Sequence, residues 1–330
     1  MILGAAARVR RILSSAGLLQ AARLPRPVVS VGNLVMGGAG KTPHVIHLAR
    51  WLSGQGRRVG ILSRGYGRKS RGVRWVSDGE VPIATAVEGG DEPVLIARSL
   101  PGIPVVVGES RAAAGREVLS RRRVDVFLLD DGFQHLSLRR DADLLLVECG
   151  RGLGNRWTAP LGPLREPPSH ARFADALVIT KCPDAESGAR TARSVHFPSS
   201  RPRAYSRLSP GGIVGRDGFP SKVAAAGRAV FAFSGLARNA QFRDTLEEAG
   251  FRVKGFLPFP DHHEYGRGDI DRIAREAGGL PAITTEKDLV RLPDDVPFSV
   301  AALRVEVEYL EGWEEISRMI LERLEGGSAS

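Results

Sequence analysis

The stretch VVSVGNLVMGGAGKTPHVIHLARWL, residues 28–52, decides the fold. Val28 to Val31 is a short apolar run of the kind buried in a sheet, and a glycine-rich segment follows it directly. Beyond the glycines, Val45, Ile46, Leu48, Ala49 and Leu52 recur at helical spacing, with Gly54 and Gly56 as stop signals. Strand, glycine loop and helix in that order make a phosphate cradle. The backbone N–H groups of Gly37, Gly38, Ala39 and Gly40 can turn toward an anion at the helix start. Lys41 can reach the outer phosphates, and the Thr42 hydroxyl can bind Mg²⁺. The strict spacing G-x-x-x-x-G-K-[ST] would place glycine five positions before Gly40, where this chain has Val35.

Outward from that unit the alternation continues, with apolar strand candidates at 59–62, 105–107, 126–129, 144–147 and 177–179 separated by helical or loop segments. Such alternation predicts a largely parallel sheet covered on both faces. Residues 196–228 are rich in Pro, Ser, Arg and Gly and read as a linker. A second run of alternation follows, with strands at 230–233, 252–256, 282–284 and 299–307 and helices near 241–249, 270–277 and 313–324. The expected division is an N-terminal segment 1–24, a phosphate-loop lobe 25–225 and a smaller α/β lobe 226–330.

The chain of 330 residues is 42% hydrophobic and 25% charged, which excludes a wholly disordered protein. Two cysteines, Cys149 and Cys182, make neither a disulfide framework nor a C-x-x-C site, so a reducing compartment is the simpler reading. The 47 basic and 37 acidic residues leave +10, mostly arginine, which favours a polyanionic partner: nucleic acid, a phosphate-rich ligand or an anionic membrane face. In residues 1–24 arginines interrupt the apolar run, so neither a membrane span nor a signal peptide is expected, and a cytoplasmic location follows. What remains is a basic amphipathic helix, which can pack on its own domain or lie in a membrane interface.

Further chemistry lies at strand ends and turns. Four apolar residues, 126–129, end in Asp130 and Asp131, placing two carboxylates where open α/β sheets bind ligands. Gly89-Gly90-Asp91-Glu92-Pro93 puts two more in a turn before an apolar helix, where they can also cap it. Phe259-Pro260-Asp261-His262-His263-Glu264-Tyr265 clusters acid, imidazole and phenol. Metal ligation by the adjacent histidines is weak, and an Asp–His pair acting as general base on a substrate hydroxyl is better chemistry.

Seven segments in fixed order resemble the tetraacyldisaccharide 4′-kinases, which phosphorylate the lipid A precursor. They are Val31–Leu34 with Gly37–Pro43, Leu62–Arg68, Gly90–Pro93, Asp130–His135 (which contains Gln134), Gly162–Pro167, Phe259–Tyr265 and Thr285–Asp288. That family's phosphate loop also lacks the first glycine. The resemblance implies a P-loop three-layer α/β/α sandwich with a second, smaller α/β/α lobe across a hinge, ATP on the first lobe and the second closing over it. It implies phosphate contact for Lys41, Mg²⁺ service for Thr42 and Asp131 with Asp130 in support, and a catalytic Asp91 paired with His262. Asp261, Arg165, Glu166 and Gln134 match positions at the active site. The implied acceptor is an acylated glucosamine disaccharide 1-phosphate. The N-terminal helix then reads as a peripheral contact with the cytoplasmic face of the inner membrane. Ser234–Asn239 departs from the Gly-Ile-Gly-x-Pro stretch often found there.

Two other classes compete. A P-loop GTPase switch of the metal-insertion type shares the glycine loop and strand-end aspartates, and Thr180-Lys181-Cys182-Pro183-Asp184 distantly resembles a guanine-reading Asn-Lys-x-Asp. A nucleic-acid-binding ATPase would suit the charge, but no RNP-type aromatic motif or zinc-finger spacing accompanies it, so no nucleic-acid partner is expected.

Overall fold

The computed structural model describes residues 9, 11, 13, 20–80, 83–223, 227–236, 239–261 and 263–326. Strand β1, Val28–Asn33, is buried along its whole length. It lies parallel between β5 (Val126–Asp130) and β6 (Ala142–Glu148), with β2 (Val59–Ser63) beyond β5. Alternate residues of these strands serve two cores. Val29, Val31, Ile61 and Leu128 pack with Val45, Leu48 and Leu52 of the helix Lys41–Gly54. Val28, Leu62, Phe127 and Leu129 pack with Ala114 and Val118 of the helix Arg111–Arg121. Burial on both faces is why the strands are continuously apolar and parallel.

The remaining strands are β3 (Arg74–Ser77), β4 (Val105–Val107), β7 (Ala176–Thr180), β8 (Arg203–Val214), β9 (Ala229–Ser234), β10 (Arg252–Pro258), β11 (Ala282–Thr285) and β12 (Val300–Glu311). All join one 12-stranded sheet in the order β10-β9-β11-β12-β8-β7-β6-β1-β5-β2-β4-β3. The second half repeats the layering. Val230, Ala232 and Ile283 face Phe242 and Leu246 of the helix Asn239–Glu248, while Phe231, Phe233 and Ala282 face Ile270 and Ile273 of the helix Arg267–Ala277. The expected α/β fold with helices on both faces is present.

Three features differ from the sequence reading. The stretch read as a linker, 196–228, carries β8, which pairs in parallel with β7 and antiparallel with β12. These two long strands form a ribbon joining the halves. Much of β8 is exposed or half-buried, so it lacks the apolar signature of a core strand. Strand β3 was not expected; it is an edge strand that starts exposed at Arg74. The last helix, Trp313–Gly326, sends Ile316, Ile320 and Leu324 into the first core, not the second. There Trp313 stacks on Tyr309 and meets Trp51 edge-on at 5.2 Å.

Of the helix expected over 1–24, only Val9, Arg11 and Leu13 are described before Gln20, each in helical conformation. Residues 20–24, which the expected helix included, are not helical: Ala22 bridges to Leu138 and Leu24 packs into the core beside Val28 and Leu138. The other residues of 1–19 lie outside the described residues. Among the described residues no helix is long and apolar enough to cross a membrane.

Candidate active site

The carboxyl ends of β1, β5 and β2 converge, as expected for ligand sites of open parallel sheets. Asn33 ends β1 and braces the phosphate loop: its Nδ2 donates to the Val35 carbonyl at 2.6 Å, and its Oδ1 accepts from Lys41 Nζ at 3.3 Å. Gly40 stands at φ 76, a left-handed conformation that favours glycine, and turns the chain into the helix beginning at Lys41. Thr180 Oγ1 donates to the Ala39 carbonyl at 3.0 Å. A Cβ on Gly38 would sit 3.9 Å from Lys181 Nζ. Of the Thr-Lys pair that loosely matched a guanine-reading motif, Thr180 therefore buttresses the phosphate loop, while Lys181 Nζ pairs with Glu148 at 3.4 Å.

Asp130 and Asp131 end β5 in different electrostatic states. Asp130 is buried, with Oδ2 accepting from Ser63 Oγ at 2.9 Å. Burial first, then the Glu92 and Asp131 carboxylates, push its carboxyl up to about 7. Asp131 sits at φ 51, costing on the order of 1 kcal/mol for a non-glycine residue. That conformation places Oδ2 2.7 Å from Arg165 Nη1 and Oδ1 3.5 Å from Lys41 Nζ. Burial opposes its charge, but Lys41 and Arg165 outweigh burial and hold the carboxyl below its usual range. Gln134 completes the network, accepting from Arg165 and donating to the Asn33 carbonyl at 2.9 Å.

The Oδ1 atoms of Asp130 and Asp131 are buried without hydrogen bonds. Two such oxygens near Lys41 suit a hard cation, as does the buried Thr42 next along the chain. Among the described residues no cluster of three or more metal-ligating side chains occurs. A cation with only one or two protein carboxylates, the rest of its shell coming from phosphate and water, is the habit of Mg²⁺.

The raised Asp130 carboxyl gives a stability prediction. The folded protein keeps that proton to about pH 7, whereas the unfolded chain releases it near ~3.9. Stability from this group is therefore full below the unfolded value and lost as pH rises through the folded one. Asp130→Asn should raise Tm by about 2–4 °C at pH 8 without metal, and by less at pH 5. Calorimetry finding no gain at pH 8 would contradict the assignment.

Asp91 and Glu92 open the helix Asp91–Ser99, against the second half of the molecule. Gly90, at φ 89, lets this turn pack against Gly65 and Tyr66, since a Cβ there would lie 2.9 Å from the Tyr66 carbonyl. Lys287 and Arg291, one turn apart on the helix Glu286–Arg291, meet the two acids. Arg291 Nε donates to Asp91 Oδ2 at 2.6 Å, and Lys287 Nζ to Glu92 Oε1 at 2.5 Å. Arg291 Nη1 also reaches the fully buried Asp288 at 3.4 Å, and Asp288 accepts the Gly235 N–H at 3.0 Å. Asp288 thus ties the turn that departs from the expected glycine pattern to the arginine that holds Asp91.

The remaining expected residues divide. His262 lies outside the described residues, and Asp261 is exposed at the turn after β10. Beside them His263 Nε2 pairs with Asp269 Oδ2 at 3.0 Å and stacks on Phe259, giving an Asp–His pair that the sequence reading did not assign. Arg165 joins the network, but Glu166 points elsewhere. Its Oε2 accepts from Arg11 Nη2 at 2.9 Å and pairs with His170 Nδ1 at 3.1 Å, while the Arg11 guanidinium lies over Phe133. Glu166 therefore holds Arg11. Two residues were missed altogether: Arg291, which lies just beyond the last recognised motif, and Arg111. Arg111 is buried at the start of its helix, where burial and Arg64 lower its pKa to about 10 against the pull of Asp131 and Asp130. A buried arginine without carboxylate spacing around it leaves little signal in sequence.

The chain is similar to known proteins of one family. Residues 1–325 match the family model described as tetraacyldisaccharide-1-P 4′-kinase. A tetraacyldisaccharide 4′-kinase of Pelobacter propionicus is 42% identical over 292 residues, 86% of this chain and 79% of that protein. One of Geobacter metallireducens is 43% identical over 296 residues, 87% of this chain and 85% of that protein. The crystal structure of the "apo" form of LpxK from Aquifex aeolicus in complex with ATP is similar at TM-score 0.81 and 36% identity, covering 98% of this chain and 96% of that one.

Proposed function

The chain belongs to the tetraacyldisaccharide-1-P 4′-kinase family, and from that membership we propose a division of labour among the residues of the cleft. The protein is an ATP-dependent kinase of lipid A biosynthesis that phosphorylates the 4′-hydroxyl of a tetraacyldisaccharide 1-phosphate. Nothing in the site favours the GTPase-switch alternative, whose supposed base-reading segment is occupied at the phosphate loop.

Phosphoryl transfer depends on positioning and charge stabilisation more than on covalent help from the protein. The amides of Gly37, Gly38, Ala39 and Gly40 line the β- and γ-phosphates, Lys41 neutralises charge on the transferring group, and Arg111 and Arg165 hold its flanks. Thr42 and Asp131, with Asp130 in support, would hold Mg²⁺, which would supply charge neutralisation. Asp91 accepts the proton of the attacking 4′-hydroxyl, with His262 assisting from the second lobe. Asp261 orients that imidazole.

Residues 25–225 carry the nucleotide and 226–330 supply the smaller lobe, with the β8–β12 ribbon as the hinge and the last helix returning to the first core. Closure excludes water and limits wasteful ATP hydrolysis. The N-terminal helix contacts the cytoplasmic face of the inner membrane peripherally, presenting Val9 while Arg11 stays pinned to Glu166.

One observation carries this reading. Glu92, neighbour of Asp91, feels the charges of both Lys41 and Asp131, which supports a cleft shared by the base, the phosphate loop and the metal carboxylates. Calorimetric titration with ATP tests it. Asp131→Asn should weaken ATP binding by about tenfold with Mg²⁺ present and by little in a chelator. Equal affinity with Mg²⁺ would remove Asp131 from the metal site.

A further inference from the structure

Beside the cleft, residues 155–163 hold Trp157 and Leu161 in solvent, at 57% and 60% exposure. The loop is braced. Asn155 Oδ1 accepts the Trp157 N–H at 3.1 Å, and its Nδ2 donates to the Leu161 carbonyl at 3.0 Å. A Cβ at Gly162 would fall 2.2 Å from Asn155 Oδ1, so the turn closes tightly. Pro163 then accepts the N–H of Met36, which belongs to the phosphate loop and is itself 44% exposed. Three large apolar side chains therefore stand on one fixed rim of the cleft, where neighbouring apolar exposure in a monomer signals a contact surface.

The flank of this rim is cationic. Arg156, next to Trp157, sits at φ 65 and donates to the Ser194 carbonyl at 2.6 Å. With Arg151 and Arg190 it lines a cleft of about 390 Å³ that has no carboxylate residue in its lining. Arg190 pairs with Glu186 from the preceding turn, and Arg151 stands 3.9 Å from Glu148.

We propose that this rim is a docking surface for an anionic lipid bilayer, separate from the N-terminal helix. Trp157 and Leu161 enter the boundary between headgroups and acyl chains, and Arg151, Arg156 and Arg190 meet lipid phosphates. An amphipathic ring and an aliphatic side chain flanked by arginines match the chemistry of that interface. The inference rests on the reading that the acceptor is a membrane-borne lipid, because docking here sets the cleft beside the bilayer surface. Net charge +10 favours the same partner.

The test uses the full chain and vesicles of phosphatidylglycerol and phosphatidylethanolamine without acceptor, read by sedimentation and tryptophan emission. The wild type should bind with a blue shift. The double variant Trp157→Ser, Leu161→Ser should bind about tenfold more weakly and lose most of that shift. Arg156→Gln should weaken binding to these vesicles but not to phosphatidylcholine vesicles. Folding is checked by activity on detergent-dispersed acceptor, expected within about twofold of wild type because the changed side chains are exposed. Unchanged vesicle binding in the double variant would overturn the proposal. So would an equal rise in KM on detergent-dispersed acceptor with vesicle binding intact, the signature of a rim that grips the acyl chains of single substrate molecules. Loss of the kinase reading would appear separately, as a wild type inactive on dispersed acceptor.

Discussion

Lys41→Ala should lower kcat for phosphate transfer by roughly 10³-fold, the scale for removing a preorganised charge from a developing phosphoryl group. Lys41 is held between Asn33 Oδ1 and Asp131 Oδ1, so its ammonium is placed before nucleotide arrives. Such preorganisation is what makes the charge effective in the transition state. The same substitution leaves Asp131 with Arg165 as its remaining cation in the network. The fold should survive, because Lys41 caps no core. Single-turnover kinetics separate the effects: ATP affinity should fall far less than the transfer rate. Retention of more than about a tenth of wild-type kcat would remove Lys41 from the transferring group.

Asp91→Asn should cost about 10²–10⁴-fold in kcat, the range for a positioned general base, with ATP affinity changed only slightly. Asparagine keeps the shape and can still accept from Arg291, so loss of activity would report loss of proton acceptance and not of the contact with Arg291. Two neighbours hold the Asp91 carboxylate in place in the resting protein: Arg291 at 2.6 Å and the amino end of its own helix. In a loose phosphoryl transition state the base needs placement more than strength. His262→Ala should follow the same pattern, lower kcat with ATP binding kept. A variant in which turnover and ATP affinity fall together would instead assign the changed residue to the nucleotide site.

Local sequence carried the parts of the site that chain-neighbouring residues build. The phosphate loop could be read because strand, glycines and helix are contiguous, and Asp130–Asp131 because four apolar residues run straight into them. The Asp91 environment was not readable from spacing, since its partner Arg291 is 200 positions away and depends on how two helices meet. Resemblance alone brought Arg165 and Glu166 to notice, and the structure sends them to different places. Arg165 holds Asp131, whereas Glu166 holds Arg11, 155 positions upstream. Strand β8 escaped notice for a related reason: a ribbon between two cores needs backbone pairing but little apolar burial, so its composition mimics a linker.

The most direct test of the account is transfer of labelled γ-phosphate from ATP to a tetraacyldisaccharide 1-phosphate in detergent micelles, comparing wild type with Asp91→Asn. A labelled lipid that nearly disappears in the variant is the predicted result. Wild type that yields no labelled lipid, or a variant that turns over at the wild-type rate, would contradict the account.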